Sequence, residues 1–261
     1  MTHFSAPECI ARGIINKDST KTWQLGYLQL TVLGLLAGAF IAFGAQLASR
    51  MYALITLDAG VALLVAGAAF SVGLMLVVIA GAELFTGNNL MFMAVLNGKA
   101  KLGDMLLKWL VVYVANFLGA LLIVWLMYHS QLVKGEAAVK AVEIAVRKAE
   151  LGFGPAFFRG ILCNWLVCLA VWMAMAAHDV VGKMLAIFVP VSAFVASGFE
   201  HSVANMYFLP MGHFIDASAV SWVSFFHNII PVTLGNIIGG AGFVATLYWL
   251  VFHKRACKKD A

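Results

Sequence analysis

The sequence predicts an all-α membrane protein: six transmembrane helices set as two inverted three-helix repeats, with spans two and five broken. Three observations predict it. Hydrophobic residues are 63% and charged residues 11% of the 261, against roughly 45–50% and ~25% in soluble domains. Several stretches exceed the ~18 apolar residues that mark a span. Two of those stretches are interrupted by similar polar runs, Gly81-Ala82-Glu83-Leu84-Phe85-Thr86-Gly87-Asn88-Asn89 and Gly198-Phe199-Glu200-His201-Ser202-Val203-Ala204-Asn205-Met206-Tyr207.

Carboxylates and an imidazole at membrane depth are costly, so they mark functional-site candidates. Irregular backbone inside a bilayer survives only where it is packed in protein or lines a cavity. Paired interruptions in corresponding halves of a membrane chain point to a transport site. The halves correspond in further detail. Glu83-x4-Asn88 matches Glu200-x4-Asn205, and Asn116-Phe-Leu-Gly119-Ala120 matches Asn236-Ile-Ile-Gly239-Gly240. Three spans per half force the repeats into opposite orientations.

Taken in order, residues 1–24 form an N-terminal helical segment without the short apolar core of a cleavable signal. A surface helix is predicted over 5–17, with Ser5 and Glu8 at capping-box spacing and Pro7 in the first turn. Ile10 and Ile14 give it a face that rests on the membrane or on a neighbour. Residues 25–252 hold the spans. Span one covers about Tyr27 to Ala48, with Gly34, Gly38 and Gly44 on a small-residue face. Span two starts near Gly60, breaks at the first interruption and resumes at Leu90. Span three covers about Leu106 to Tyr128. Residues 134–150 read as an exposed amphipathic helix with Glu136/Lys140 and Glu143/Arg147 as i,i+4 pairs. Span four covers about Ala156 to Ala177. Span five starts near Lys183, breaks at Gly198–Asn205 and resumes to Gly212. Span six lies within Pro231–Phe252, after an interfacial Trp222–Phe226. Residues 253–261 are a basic tail.

The net charge of +5 sets orientation and is not a nucleic-acid signal. One side collects Arg12, Lys17, Lys21, Lys99, Lys101, Lys108, Lys183, Lys254, Arg255, Lys258 and Lys259. The other holds Arg50, Lys134, Lys140, Arg147 and Lys148. The positive-inside rule then puts both termini in the cytoplasm. Four cysteines, Cys9, Cys163, Cys168 and Cys257, make no disulfide framework and are expected to be inert thiols.

A half-helix that starts at midplane offers unpaired N–H groups and a positive dipole end, which attract anions. Thr86 adds a hydroxyl there, or else merely caps the half-helix. Glu83 and Glu200 are expected to be structural, accepting hydrogen bonds from freed groups beside each break, with Asn88 and Asn205 as partners in the repeat. His201 is the sharpest candidate. Its ring titrates near neutrality in water. It can donate to a passing anion, or lend it a proton in exchange for one from solvent. The other histidines, at 3, 129, 178, 213, 227 and 253, show no ligand spacing, which predicts no metal and no haem or other cofactor. Phe70, Phe194, Leu74, Leu84 and Phe85 flank the interruptions. They either constrict a pore or simply pack helices.

The two interruptions, with Ile161-Leu162-Cys163-Asn164-Trp165-Leu166-Val167-Cys168 and Pro231-Val232-Thr233-Leu234-Gly235-Asn236-Ile237-Ile238-Gly239-Gly240, resemble the formate/nitrite transporter family from about residue 7 to 252. The resemblance implies no enzyme but an aquaporin-like protomer with its own pore, assembled as a homopentamer in the inner (cytoplasmic) membrane of a bacterium or archaeon. It implies that His201 is the central pore histidine and that Leu84-Phe85-Thr86 belong to the loop of broken span two. Asn164 matches the family asparagine of span four, and Lys148 falls where the family has a vestibule lysine. Phe70 and Phe194 would form the outer constriction, and Leu74, Leu84 and Phe85 the inner one. The N-terminal segment would be the part that covers the cytoplasmic mouth in some members of the family, and is otherwise a passive amphipathic tail. The implied substrates are small monovalent anions, formate first, with nitrite and hydrosulfide as relatives. Gly87-Asn88-Asn89 stands where the formate-channel branch has small hydroxyl residues. The alternative is a neutral-solute pore of aquaporin or ammonium type, although the Asn-Pro-Ala boxes of aquaporins are absent.

Overall fold

The computed structural model describes residues 4–18, 21–55 and 58–257; His3, Lys258 and Lys259 lie outside them. The described chain is helical. α1 (Pro7–Ile15) precedes a short 3-10 turn at Lys21–Trp23. α2 (Tyr27–Leu54) and α3 (Ala59–Met75) follow, and α3 runs on as a π-type stretch, Leu76–Gly81. After the first break come a 3-10 segment, Gly87–Met91, and the short α4 (Phe92–Leu96). Next are α5 (Leu102–His129), α6 (Glu136–Ala149), α7 (Phe153–Ala176) and α8 (Val180–Ala196). α9 (Ser202–Ile215) follows the second break. α10 (Trp222–Ile237) continues through a π-type stretch, Ile238–Thr246, into α11 (Leu247–Phe252).

Among the described residues five helical runs are long and apolar enough to cross a membrane: Tyr27–Leu54, Gly60–Gly81, Leu102–His129, Phe153–Ala176 and Trp222–Phe252. Their outward faces carry exposed Leu, Val, Phe and Trp side chains, such as Phe43, Leu110, Leu118, Trp125, Phe158 and Leu250. The polar side chains are inside. Thr86, Asn89, Asn116, Asn164, Ser202, Asn205, Asn228 and Asn236 are fully buried. Such an inversion suits lipid as solvent, where buried polar groups find partners within the protein.

Two tight helix pairs frame the molecule. α2 meets α5 with Gly38 facing the backbone of Asn116, and α7 meets α10 and its continuation with Gly239 facing the backbone of Ile161. Glycine lets the backbones approach this closely. Gly240 is the sharpest case for mutation. A Cβ there would lie 2.5 Å from Asn164 Nδ2 and 2.7 Å from Asn89 Cβ. Gly240→Ala is expected to lower stability by about 1–3 kcal/mol through overpacking, read as a drop in the detergent melting temperature. Gly242→Ala, whose Cβ would meet only Ile238 Cγ2 at 3.6 Å, is the control and should melt with the parent.

Several expectations are corrected. The Ser5–Glu8 capping box does not form: the N-cap of α1 is Ala6, and the Ser5 hydroxyl pairs with His178 Nε2 at 2.9 Å. The Ile10/Ile14 stripe rests on a neighbour, because both side chains are buried with Leu90, Met93 and Trp172. Trp222–Phe226 is no separate interfacial segment but the first turn of α10, started by a Ser221 N-cap that accepts from Ser224 N. The second break is shorter than Gly198–Asn205, since helix resumes at Ser202. On α6, Glu143 pairs with both Lys140 and Arg147, so Lys140 turns forward to Glu143 and away from Glu136. The Lys140 ammonium bonded to Glu143 holds that carboxyl below its ordinary value. Cys9 and Cys257, expected as free thiols, are joined in a disulfide, because α1 packs beside the residues that follow α11. Cys163 and Cys168 are free and buried.

Candidate functional site

The two breaks are built alike. Each begins at a glycine in the left-handed region, Gly81 at φ 86° and Gly198 at φ 69°, where a side chain would be strained. In each, a buried asparagine satisfies the backbone that the break releases. Asn116 Oδ1 accepts from Phe85 N at 3.0 Å, and its Nδ2 donates to Gly34 O and Glu83 O at 2.7 and 3.0 Å. Asn236 Oδ1 accepts from Ser202 N at 2.9 Å, and its Nδ2 donates to Gly160 O and Glu200 O at 2.8 and 2.9 Å. Buried amides and carbonyls left unpaired are costly, so these asparagines let the chain stop being helical at depth.

Each break also carries its glutamate with its asparagine partner. Asn88 Nδ2 donates to Glu83 Oε2 at 2.8 Å, and Asn205 Nδ2 donates to Glu200 Oε2 at 2.6 Å. The second partners differ. Glu83 accepts from the Thr22 hydroxyl at 2.6 Å, whereas Glu200 Oε1 takes a salt bridge from Lys148 Nζ at 2.9 Å. Lys108 holds the other side of Thr22, donating to Thr22 O and Leu25 O at 3.0 Å each. Asn228 ties Lys148 in place by donating to its carbonyl at 2.8 Å.

The breaks meet at Thr86 and His201. His201 is the N-cap of α9: its Nδ1 accepts from Ala204 N at 3.0 Å. A backbone N–H can only donate, so Nδ1 carries no proton. A neutral ring then has its proton on Nε2, which lies 2.9 Å from Thr86 Oγ1. His201 therefore donates to Thr86, and the threonine hydroxyl keeps its own proton for another acceptor. Thr86 does not cap the half-helix that follows it.

A cavity borders each break: the first reaches His201, the second reaches Leu84 and Gly87, and Thr86, fully buried, lines neither. The first, of about 210 Å³, is bordered by Phe70, Phe194, Lys148, Arg159, Glu200 and His201. The second, of about 550 Å³, is bordered by Leu74, Leu84, Glu83, Asn88, Thr22 and Lys183. The rings of Phe70 and Phe194 meet edge to face, 5.7 Å between centroids, and Phe194 stacks on His201 at 6.0 Å. Charge divides unevenly. Arg147, Lys148 and Arg159 outnumber Glu200 around the first cavity, while Glu83 and Lys183 balance around the second.

The sequence candidates thus separate. His201, Phe70, Phe194 and Lys148 come together on the first cavity, and Leu74 and Leu84 on the second. Phe85 lines neither: its N–H is fixed to Asn116, and its ring lies edge-on to Tyr113 and Trp109 of α5 at 4.8 and 5.8 Å. Asn164 also lines neither. Its Nδ2 reaches Asn236 O at 2.7 Å, Asn89 Oδ1 at 2.9 Å and Thr86 O at 3.3 Å, so it braces one break against the other. Arg159, Asn228 and Thr22 were missed. Arg159 stood out in sequence only as a cation inside span four, and Thr22 carried no signal. Among the described residues no three His, Cys, Asp or Glu side chains come together as a metal-ligand set.

The Lys148–Glu200 bridge gives a direct prediction. Lys148→Met leaves Glu200 unpaired in a buried position. The pair opens on a cavity, so the loss is expected at about 2 kcal/mol, below the 3–5 of a dry pair. The double variant Lys148→Met/Glu200→Gln should recover most of it in thermal unfolding. An equally unstable double variant would show that Lys148 packs and does not neutralise.

A helical chain with apolar outer faces, and two hydrogen-bonded breaks that meet and are each bordered by a cavity, has the form of a membrane transport protein. The chain belongs to the formate/nitrite transporter family: the family model described as Formate/nitrite transporter matches residues 10–250. It is 45% identical over 247 residues to a probable formate transporter of Methanothermobacter thermautotrophicus, covering 87% of this chain and 89% of that one. A solved structure described as an FNT family ion channel superposes with a TM-score of 0.84 at 32% identity, covering 94% of this chain and 98% of that one. Another, a pentameric formate channel with formate bound, gives 0.78 at 34%, covering 87% and 98%. The family is one of transporters and not of enzymes.

Proposed function

We propose that the chain passes small monovalent anions across a membrane, formate first, along a path from the first cavity through Phe70/Phe194 to His201 and Thr86, then past Leu74 and Leu84 to the second. One observation carries this: the Nε2–Oγ1 hydrogen bond that joins the two breaks, with a cavity bordering each break. An anion arriving there meets the free hydroxyl proton of Thr86, and gains the ring N–H as a second donor when it displaces the Thr86 oxygen from Nε2. The cations of the first cavity raise its local concentration. The apolar constrictions disfavour its charge, so it takes a proton and passes as the neutral acid.

The proton's route follows from the cap. His201 Nδ1 is engaged by Ala204 N, so only Nε2 faces the path. A neutral His201 donates a hydrogen bond but has no proton to spare. The proton therefore comes from water with the anion, and His201 lends one only when its own cap opens.

In the same reading α3 with α4, and α8 with α9, each count as one broken span. That gives six spans in two inverted repeats. The matched asparagines, glutamates and left-handed glycines support it. The protomer has its own pore and assembles as a homopentamer in the inner membrane; the similarity to a pentameric formate channel supports the assembly. Both termini face the cytoplasm, by the distribution of Lys and Arg.

The test is uptake of labelled formate into proteoliposomes at two outside pH values, with nitrite, hydrosulfide and lactate as competitors. Uptake is expected to rise as outside pH falls, because the neutral-acid fraction rises. Vesicles that take up none of the four yet swell with water or glycerol would replace this reading with a neutral-solute pore.

A further inference from the structure

We propose that Cys9 and Cys257 are a dithiol modification site that takes a low-molecular-weight disulfide as oxidant, and that its oxidation fastens α1 to its dock. The two cysteines lie 248 positions apart in sequence, yet their Cα atoms are 4.7 Å apart, within the roughly 4.4–6.8 Å that a disulfide spans. Both are half-buried, whereas Cys163 and Cys168 are buried out of reach. Cys257 stands in Lys254-Arg255-Ala256-Cys257-Lys258-Lys259.

What the bond fastens is specific. Ile10 and Ile14 of α1 pack on Leu90 and Met93, which follow the first break directly. Ser5 N donates to Ala176 O at 2.8 Å, and Arg12 Nη2 reaches Arg255 O at 3.5 Å. The chain then leads to Thr22 and Leu25, which border the second cavity, Thr22 being bonded to Glu83 of the break. With the bond open, α1 is held by packing and these hydrogen bonds alone. With it closed, α1 cannot leave the C-terminal residues, and Thr22 and Leu25 stay at the cavity wall.

The exchange balances. One cysteine thiolate attacks the disulfide R–S–S–R, forms a mixed disulfide and releases one thiol R–SH. The second cysteine attacks that mixed disulfide and releases the other R–SH. The cysteines lose two electrons and two protons, and the oxidant gains both. If the termini are cytoplasmic, the glutathione pool keeps the pair reduced at rest, as is usual for redox-sensing cytosolic thiols.

The effect on uptake rests on the proposed path; the site itself does not. Full-length protein in liposomes is equilibrated with oxidised glutathione or with dithiothreitol. Mass spectrometry after tryptic cleavage reads the bond, hydrogen exchange over Ile10–Ile15 reads docking, and formate uptake reads the path. Oxidation should give an internal Cys9–Cys257 bond and slow exchange at least about tenfold, with uptake falling several-fold and returning on reduction. Cys9→Ser and Cys257→Ser should exchange at the reduced rate in both conditions. A failure to form the bond, a bond between protomers, or a bond with unchanged exchange would overturn the site. Responding exchange with unchanged uptake would overturn its link to the path. Responding exchange in protein that never takes up formate supports the site and rejects the transport reading alone.

Discussion

Replacing His201 with asparagine is expected to cut formate uptake by roughly tenfold to a hundredfold and to leave its rise at low outside pH, which comes from the neutral-acid fraction in water. The variant is chosen for what it keeps. Asparagine is among the best N-cap residues, so its Oδ1 can still accept from Ala204 N, the bond that His201 Nδ1 now makes. α9 should start where it does, and the melting temperature should stay close to the parent's. What disappears is the Nε2–H aimed at Thr86. A hydrogen bond to a charged partner contributes about 1.5–3 kcal/mol, and each 1.36 kcal/mol is a decade in rate. Unchanged uptake would make His201 a capping residue only. Thr86→Val distinguishes donor from relay, since it removes the hydroxyl and keeps the shape.

The largest stability effect is expected at Asn236. Asn236→Leu keeps the branched shape but leaves Ser202 N and Glu200 O without their partner in a fully buried site, and takes from Gly160 O its second donor. Each unpaired group costs about 1–3 kcal/mol. The sum places the variant at roughly 4 kcal/mol or more, a loss seldom seen from one substitution. The expected result is little folded protein on size exclusion, and what is recovered should melt early. Asn116→Leu should behave alike, because it serves Phe85 N, Gly34 O and Glu83 O in the same way. Two unequal outcomes would show that the breaks are alike in geometry but not in energy.

Much of this was legible because polarity at membrane depth is rare. The two breaks, and the matching of Asn88 with Asn205 and of Asn116 with Asn236 between the halves, followed from polar residues in apolar runs; that the glutamates take side-chain donors and not freed backbone groups did not. What was hidden depends on direction. Hydropathy cannot say which way Phe85 points, and its ring turned to Trp109 and Tyr113 of α5. It cannot tell that Trp222–Phe226 joins the helix behind it, because a polar cap such as Ser221 looks the same before an interfacial turn and before a span. Cys9 and Cys257 were hidden for another reason. Their nearness is set by how the ends of the chain pack together, and no local pattern of residues encodes that.

The unequal charge around the two cavities has a consequence for direction. A passive path cannot change where the gradient of the acid it passes comes to rest, whatever charges stand at its mouths. It can change how each mouth fills. Arg147, Lys148 and Arg159 at one end, against a balanced Glu83 and Lys183 at the other, raise the anion's occupancy at the cationic end. The half-saturating concentration is then lower from that end, and salt raises it more there than at the other. On the proposed path the expected result is rectification of rate and not of equilibrium, most marked where anions are scarce and ionic strength is low.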